Sequence, residues 1–239
     1  MRGDAVLQLD HLVIAQDAFR LSADWQVPAG ARVALIGPSG AGKSTLLAAI
    51  AGFLAPVSGR ILWQGRDLAP LPPGARPLSV LFQDQNLFPH LTVAQNLGLG
   101  LRPDLRLSPD ERARVAAALE RVGLDGLGAR RPAELSGGQM ARAALARVLL
   151  RARPLLLLDE PFAALGPALK ADMLALVAEV AARTGATLLM VTHDPTDARA
   201  ICDLAVLVAE GRAEPPRPPT ALFAERPPAL ADYLGPAMQ

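Results

Sequence analysis

The chain has 239 residues, 51% of them hydrophobic, a net charge of +1 and one cysteine. That length supports a substantial core, as one large domain or a core with an inserted subdomain. The near-neutral charge excludes the basic field of a nucleic-acid binder, and the lone Cys202 excludes a disulfide framework and suits a reducing compartment. In chain order, Val6–Leu9 and Val13-Ile14 read as one strand region, and Phe19 to Val27 as a second with alternating character. The apolar run Arg32–Ile36 predicts a buried strand, and Thr45–Ala51 a helix stopping at Gly52. Gly59–Trp63 reads as another strand turning at Gln64-Gly65, with Trp25 and Trp63 as packing residues. The proline-rich stretch Pro70 to Pro77 reads as a loop. Leu78–Phe82 is a buried strand delivering Gln83.

From Asp84 to Arg153 the pattern turns to helices without strands, an inserted helical subdomain within an α/β core formed by residues 1–83 and 154–239. Ser108-Pro109-Asp110-Glu111 is a capping-box start, with Val115, Leu119 and Val122 as the apolar stripe and Gly123 as the stop. A second helix follows Gly137-Gly138 and carries Leu145, Val148 and Leu149. The alternation then returns with strand Leu155–Leu158, a helix from Pro167 to near Gly185, strand Thr187–Val191, a helix opening at Asp194-Pro195 and strand Ala205–Val208. A proline-rich connector and a short helix around Ala221 to Ala224 follow. The alternation argues for a largely parallel sheet. No basic segment leads into an apolar core at the N-terminus, and no apolar run approaches the roughly 20 residues of a membrane helix. Membrane contact is expected only through a partner.

Between the strand Arg32–Ile36 and its helix lies Gly37-Pro38-Ser39-Gly40-Ala41-Gly42-Lys43-Ser44-Thr45, which fits G-x-x-x-x-G-K-[ST] in the strand–loop–helix context that gives the motif meaning. Glycines let backbone N–H groups curl around phosphate oxygens, and the helix N-terminus adds partial positive charge. Lys43 is expected to reach the β- and γ-phosphates of ATP, and Ser44 to ligate Mg²⁺. Strand Leu155–Leu158 ends in Asp159-Glu160, where such a fold places its metal carboxylate. Asp159 is the candidate metal partner and Glu160 the candidate general base.

Leu135-Ser136-Gly137-Gly138-Gln139, taken with the phosphate loop, Gln83 and Asp159-Glu160 in this order, resembles the ATP-binding-cassette (ABC) ATPases from about Val6 to Val208. The resemblance implies a P-loop nucleotide-binding domain with an N-terminal antiparallel β subdomain. It implies that Ser136, Gly137, Gly138 and Gln139 close on the γ-phosphate of ATP held by the other copy of a homodimer. It makes Gln83 the glutamine that senses Mg²⁺ and the attacking water, and His193 the histidine contacting the γ-phosphate. Two departures stand out. Gly166 follows Ala164-Leu165 where the family has Asp, which bears on communication between the two sites. The family's adenine-stacking aromatic falls near Ile14, with Phe19 the nearest ring, so aliphatic packing is expected to replace stacking.

Leu81 to Leu101, Ala51-Gly52-Phe53-Leu54 and Asp159-Glu160-Pro161-Phe162 look most like ATP-binding subunits of bacterial thiamine importers. Similar wording occurs in iron(III), polyamine, sulfate and molybdate import ATPases. No extra C-terminal regulatory domain is expected. The resemblance implies a permease docking at Phe88 to Val93 and an extracytoplasmic binding protein that selects the substrate. It also places the chain on the cytoplasmic face of the bacterial inner membrane. A soluble cassette protein acting on nucleic acid or ribosomes would call for a basic face, a tandem cassette or a coiled-coil insertion, and none is visible. A low-turnover regulatory module has only Gly166 and the missing aromatic in its favour.

Overall fold

Alternating burial builds the first part of the chain. In the computed structural model, which describes residues 5–82, 87–163 and 165–234, β1 (Ala5–Gln16) and β2 (Phe19–Pro28) pair antiparallel. Leu7, Leu9, Ile14, Leu21 and Val27 are fully buried on their inner side, as the two-residue period of a strand dictates. A register shift between Leu9 and Leu12 keeps the two apolar stretches of β1 on one core. After β3 (Arg32–Ile36), β4 (Ser58–Trp63) adds to the free side of β1, and the short β5 (Arg66–Asp67) closes that edge.

The second half of the sheet has different chemistry. β6 (Leu78–Leu81), β7 (Leu155–Asp159), β8 (Thr187–Val191) and β9 (Leu204–Ala209) run parallel with β3. Both faces of these strands are covered, which explains their unbroken apolar character: Leu156 and Leu158 enter one core while Leu155 and Leu157 enter the other. The two-residue β10 (Arg212–Ala213) bridges β9 to β2 and joins the halves. The resulting ten-stranded sheet has the order β5-β4-β1-β2-β10-β9-β3-β8-β7-β6. Trp25 and Trp63 are packing residues as anticipated, each 6% exposed, and the Trp25 indole donates to the Ala213 carbonyl at 3.1 Å.

Helix α1 (Lys43–Ala51) packs against β7 and β8. It starts two residues before the expected Thr45, because Gly42 in a left-handed conformation takes the N-cap position. Arg76 is buried and its Nη1 donates to the carbonyls of Ala49 and Ile50 at 3.0 and 2.8 Å, satisfying the end of α1. Between β6 and β7 the described residues form α2 (Val93–Gly98), α3 (Pro109–Arg121) and α4 (Gly137–Leu150), and contain no strand. The three helices pack on one another, and α4 reaches β6. The Ser108–Glu111 capping box is present in both directions, with Glu111 N donating to Ser108 Oγ at 3.2 Å and Ser108 N to Glu111 Oε2 at 2.8 Å.

The remaining helices among the described residues are α5 (Pro167–Thr184), α6 (Pro195–Ile201), α7 (Pro219–Glu225) and α8 (Pro228–Leu234). Within the described residues no helix is long and apolar enough to cross a membrane. For function the register matters most. Leu35, Val191 and Asp159 are in-line partners across β3, β8 and β7, so three strands end together and release their loops on one side of the sheet.

Candidate active site

The loop leaving β3 is shaped by close approach. At Gly37, with φ +150°, a Cβ would lie 2.0 Å from the Val208 carbonyl oxygen. At Gly42, with φ +101°, it would lie 2.4 Å from Cζ of Phe19. Pro38 turns the chain, its carbonyl accepting from Ala41 N at 3.2 Å, while Ser39 and Gly40 stand exposed at the tip. Lys43 is 5% exposed, and its Nζ donates to the carbonyls of Gly37 and Pro38, each at 2.7 Å. Burial lowers its pKa, opposed by the fields of Glu160 and Asp159. Ser44 is exposed in the first turn of α1, and Thr45 follows it partly buried.

Asp159 ends β7 and is 4% exposed. Burial raises its pKa, offset in part by a hydrogen bond with the Ser44 side chain. Its Oδ1 is buried without a hydrogen-bond partner. An orphaned carboxylate oxygen beside a serine hydroxyl is an all-oxygen donor set that fits a hard divalent cation such as Mg²⁺. Glu160 follows with φ +47°, a strained left-handed conformation for a non-glycine residue. Its backbone N–H donates to the Val191 carbonyl at 3.2 Å. Its Oε1 meets Nε2 of His193 in close hydrogen-bond contact.

The loop bearing His193 is braced from below. Thr192 Oγ1 donates to Asp197 Oδ2 at 2.6 Å, and Lys170 from α5 spans Asp194 and Asp197 at 2.7 Å each. Burial resists ionisation of Asp194, but hydrogen bonds from Lys170 and Thr196 bring its pKa down to about 2. Tyr233 of α8 completes the surround of His193. Lys170, Asp197 and Tyr233 escaped the sequence reading. Asp197 had a signal, being an acidic residue in the first turn of a helix opened by Asp194-Pro195; the other two come from distant helices and had none.

Ser136 caps α4 with a second reciprocal box: Gln139 N donates to Ser136 Oγ at 3.3 Å, and Ser136 N to Gln139 Oε1 at 2.9 Å. The hydroxyl thus accepts within its own helix and keeps its proton to give outward. Ser136 and Gly137 are exposed, with Gly138 and Gln139 partly so, and a Cβ on Gly137 would meet nothing within 4 Å. Gln83 lies outside the described residues, as does Ala164. Gly166 is the N-cap of α5 with φ −68° and no side chain to cap it. Ile14 is fully buried, so it has no face to offer a base, and the Phe19 ring lies against Gly42 instead. Cys202 is a buried thiol, pushed up to about 12 by desolvation.

Known proteins place this geometry. Residues 22–163 match the family described as ABC transporter. The thiamine import ATP-binding protein ThiQ of Cereibacter sphaeroides is 70% identical over 231 residues, covering 97% of this chain and all of that one. The protein of the same name from Ruegeria sp. is 59% identical, covering 96% of this chain and all of its own length. Among solved structures, cbiO1 from Clostridium perfringens, part of the transporter complex cbiONQ, aligns with a TM-score of 0.79 at 32% identity, covering 93% of this chain and 92% of its own. The dimeric ATP-binding cassette MJ0796 bound to ADP and Pi aligns with a TM-score of 0.78 at 27% identity, covering 89% and 98%. The chain belongs to the ABC transporter family. It is a cassette ATPase, binding ATP and hydrolysing it to power transport.

Proposed function

We propose that this chain is the ATP-hydrolysing subunit of a thiamine importer. The observation that carries the reading is the 70% identity, over 97% of the chain, to a protein named for thiamine import. Two copies would face each other as a homodimer, a membrane permease would convert their closure into alternating access, and an extracytoplasmic protein would deliver the vitamin. The place of action would be the cytoplasmic face of the bacterial inner membrane.

The geometry supports a role for each site residue. Backbone N–H groups of Gly37 to Gly42, Lys43 and the first turn of α1 through Thr45 would hold the triphosphate. Ser44 and Asp159, with Gln83, would hold Mg²⁺, which when bound neutralises phosphate charge. Glu160 would accept a proton as water oxygen bonds to the γ-phosphorus and the bond to the bridging oxygen of ADP breaks. His193, in contact with Glu160, would hold the γ-phosphate. Ser136 to Gln139 of the other copy would close the site, with the Ser136 proton as a donor to it.

A groove of about 380 Å³ lined by Phe53, Phe82, Phe88 and Arg147 supports permease docking next to Phe88 to Val93. Phe53 and Phe88 are 60% and 45% exposed, a large apolar display for a surface. Asn96 shapes this turn, accepting from Phe88 N at 2.7 Å and donating to the Phe88 carbonyl at 3.0 Å. The test is purification from membranes with the attached permease, followed by ATPase assays with each candidate substrate and its binding protein. Stimulation by thiamine alone is the expected outcome. Stimulation by iron(III), a polyamine, sulfate or molybdate would replace the substrate while keeping the importer.

A further inference from the structure

Tyr233 on α8 reaches the loop that carries His193. Its hydroxyl donates to the His193 carbonyl at 2.7 Å, and the same oxygen lies 3.2 Å from Nδ1 of the ring. It is the only tyrosine in the chain. Helix α8 is held in place by Leu230, fully buried, and Tyr233 itself packs against the same core. The phenol is therefore presented by a fixed element.

Counting protons settles the direction of the ring contact. A phenol has one O–H, and here it is given to the carbonyl oxygen. Toward Nδ1 the Tyr233 oxygen is left as acceptor, which assigns the Nδ1 proton to the ring. On the other side of the ring, Nε2 faces Glu160 Oε1. The imidazole is thus strung between two oxygens, Tyr233 behind and Glu160 ahead.

We propose that Tyr233 is a positioning residue for hydrolysis: by donating to the His193 carbonyl and accepting from Nδ1–H it fixes the orientation of the ring so that Nε2 faces Glu160 and the γ-phosphate. It acts through the histidine and does not touch ATP. The inference rests on the roles given above to Glu160 and His193. It adds that α8 is a structural part of the catalytic centre, although Tyr233 lies more than seventy residues after Asp159 in sequence.

The test is Tyr233→Phe, which keeps the ring packing and removes only the oxygen. Two quantities are read on the folded protein: the histidine ¹⁵N spectrum, with His193 assigned by comparison to His193→Gln, and steady-state ATP hydrolysis. The expected result is loss of the Nδ1–H signature and a fall in kcat of about fivefold with KM for ATP unchanged, the scale of one orienting hydrogen bond. An unchanged His193 spectrum overturns the proposal, even if kcat falls, since the effect would then be merely structural. A changed spectrum with unchanged kcat also overturns it. Full hydrolysis by Glu160→Gln would remove the catalytic assignment instead, and the ¹⁵N spectrum would separate that failure from failure of the Tyr233 contact.

Discussion

Lys43 Nζ lies 2.7 Å from the Gly37 carbonyl oxygen, so the cation is gripped by the loop it serves. A second N–H goes to Pro38, and an ammonium has three, which leaves one to aim at phosphate. Lys43→Ala removes both the charge and the two loop contacts. ATP affinity is expected to fall at least about 100-fold, as for a truncated buried charge contact, with an unchanged far-UV circular dichroism spectrum. Equilibrium titration with a fluorescent ATP analogue reads it, and retained tight binding would contradict the phosphate cradle.

Glu160→Gln keeps size and shape but cannot accept a proton. Turnover is expected to drop by about 10²–10⁴, the usual contribution of a positioned general base, while ATP binding persists and two copies stay closed around it. Single-turnover hydrolysis and size-exclusion chromatography with ATP measure the two effects. Wild-type hydrolysis in the variant would remove Glu160 from its role.

What was legible in the sequence was whatever a short local pattern encodes. Glycine spacing and the strand before it placed the phosphate loop, and the Leu155–Leu158 run placed Asp159 at a strand end. The Ser108 box is legible because proline and two acidic residues follow the serine, whereas the Thr92–Gln95 box that starts α2 has the same chemistry without those signals. Short β5 and β10 have no periodicity to find, being two residues each. Tyr233 and Lys170 meet His193 and its loop only through folding, and the contact of Phe19 with Gly42 depends on how β2 crosses the loop. Spacing along the chain carries no trace of such meetings.

Ser136 and Gly137 stand exposed, with the serine proton free. If they serve the partner's nucleotide, Ser136→Arg and Lys43→Ala damage different halves of a shared site. Each variant alone is expected to be inactive, and mixing them is expected to restore measurable hydrolysis, because the mixed dimer contains one site with both halves intact. ATPase activity of the mixture against each pure variant decides it. No recovery, with mixed dimers confirmed by mass spectrometry, would mean that both motifs act on one chain's nucleotide.

The Lys170–Asp194 brace has a defined acid limit. Asp194 falls from 3.8 to about 2 on folding. A depressed folded pKa contributes stability that is complete above the unfolded value and is lost as pH falls through the folded one. The stability difference between wild type and Asp194→Asn is therefore expected to be constant above about pH 5 and to shrink progressively as the acid form populates, vanishing near pH 1. Urea unfolding across that range measures it, and a difference growing toward low pH would reverse the sign.

Gly37 and Gly40 separate two reasons for a glycine. Both have positive φ, +150° and +76°, but a Cβ on Gly40 would meet nothing within 4 Å, whereas on Gly37 it would strike the Val208 carbonyl. That carbonyl belongs to β9, so no side-chain rotation relieves the overlap, and either the strand or the loop must move. Gly40→Ala is expected to cost about 1–2 kcal/mol, the penalty of a left-handed backbone. Gly37→Ala is expected to cost about 2–4 kcal/mol and to weaken ATP binding as well, since the displaced segment carries one of the carbonyls that hold Lys43. Urea denaturation combined with nucleotide titration distinguishes them. Equal losses in the two variants would mean that backbone conformation alone, and not the approach of β9, selects glycine at the start of the loop.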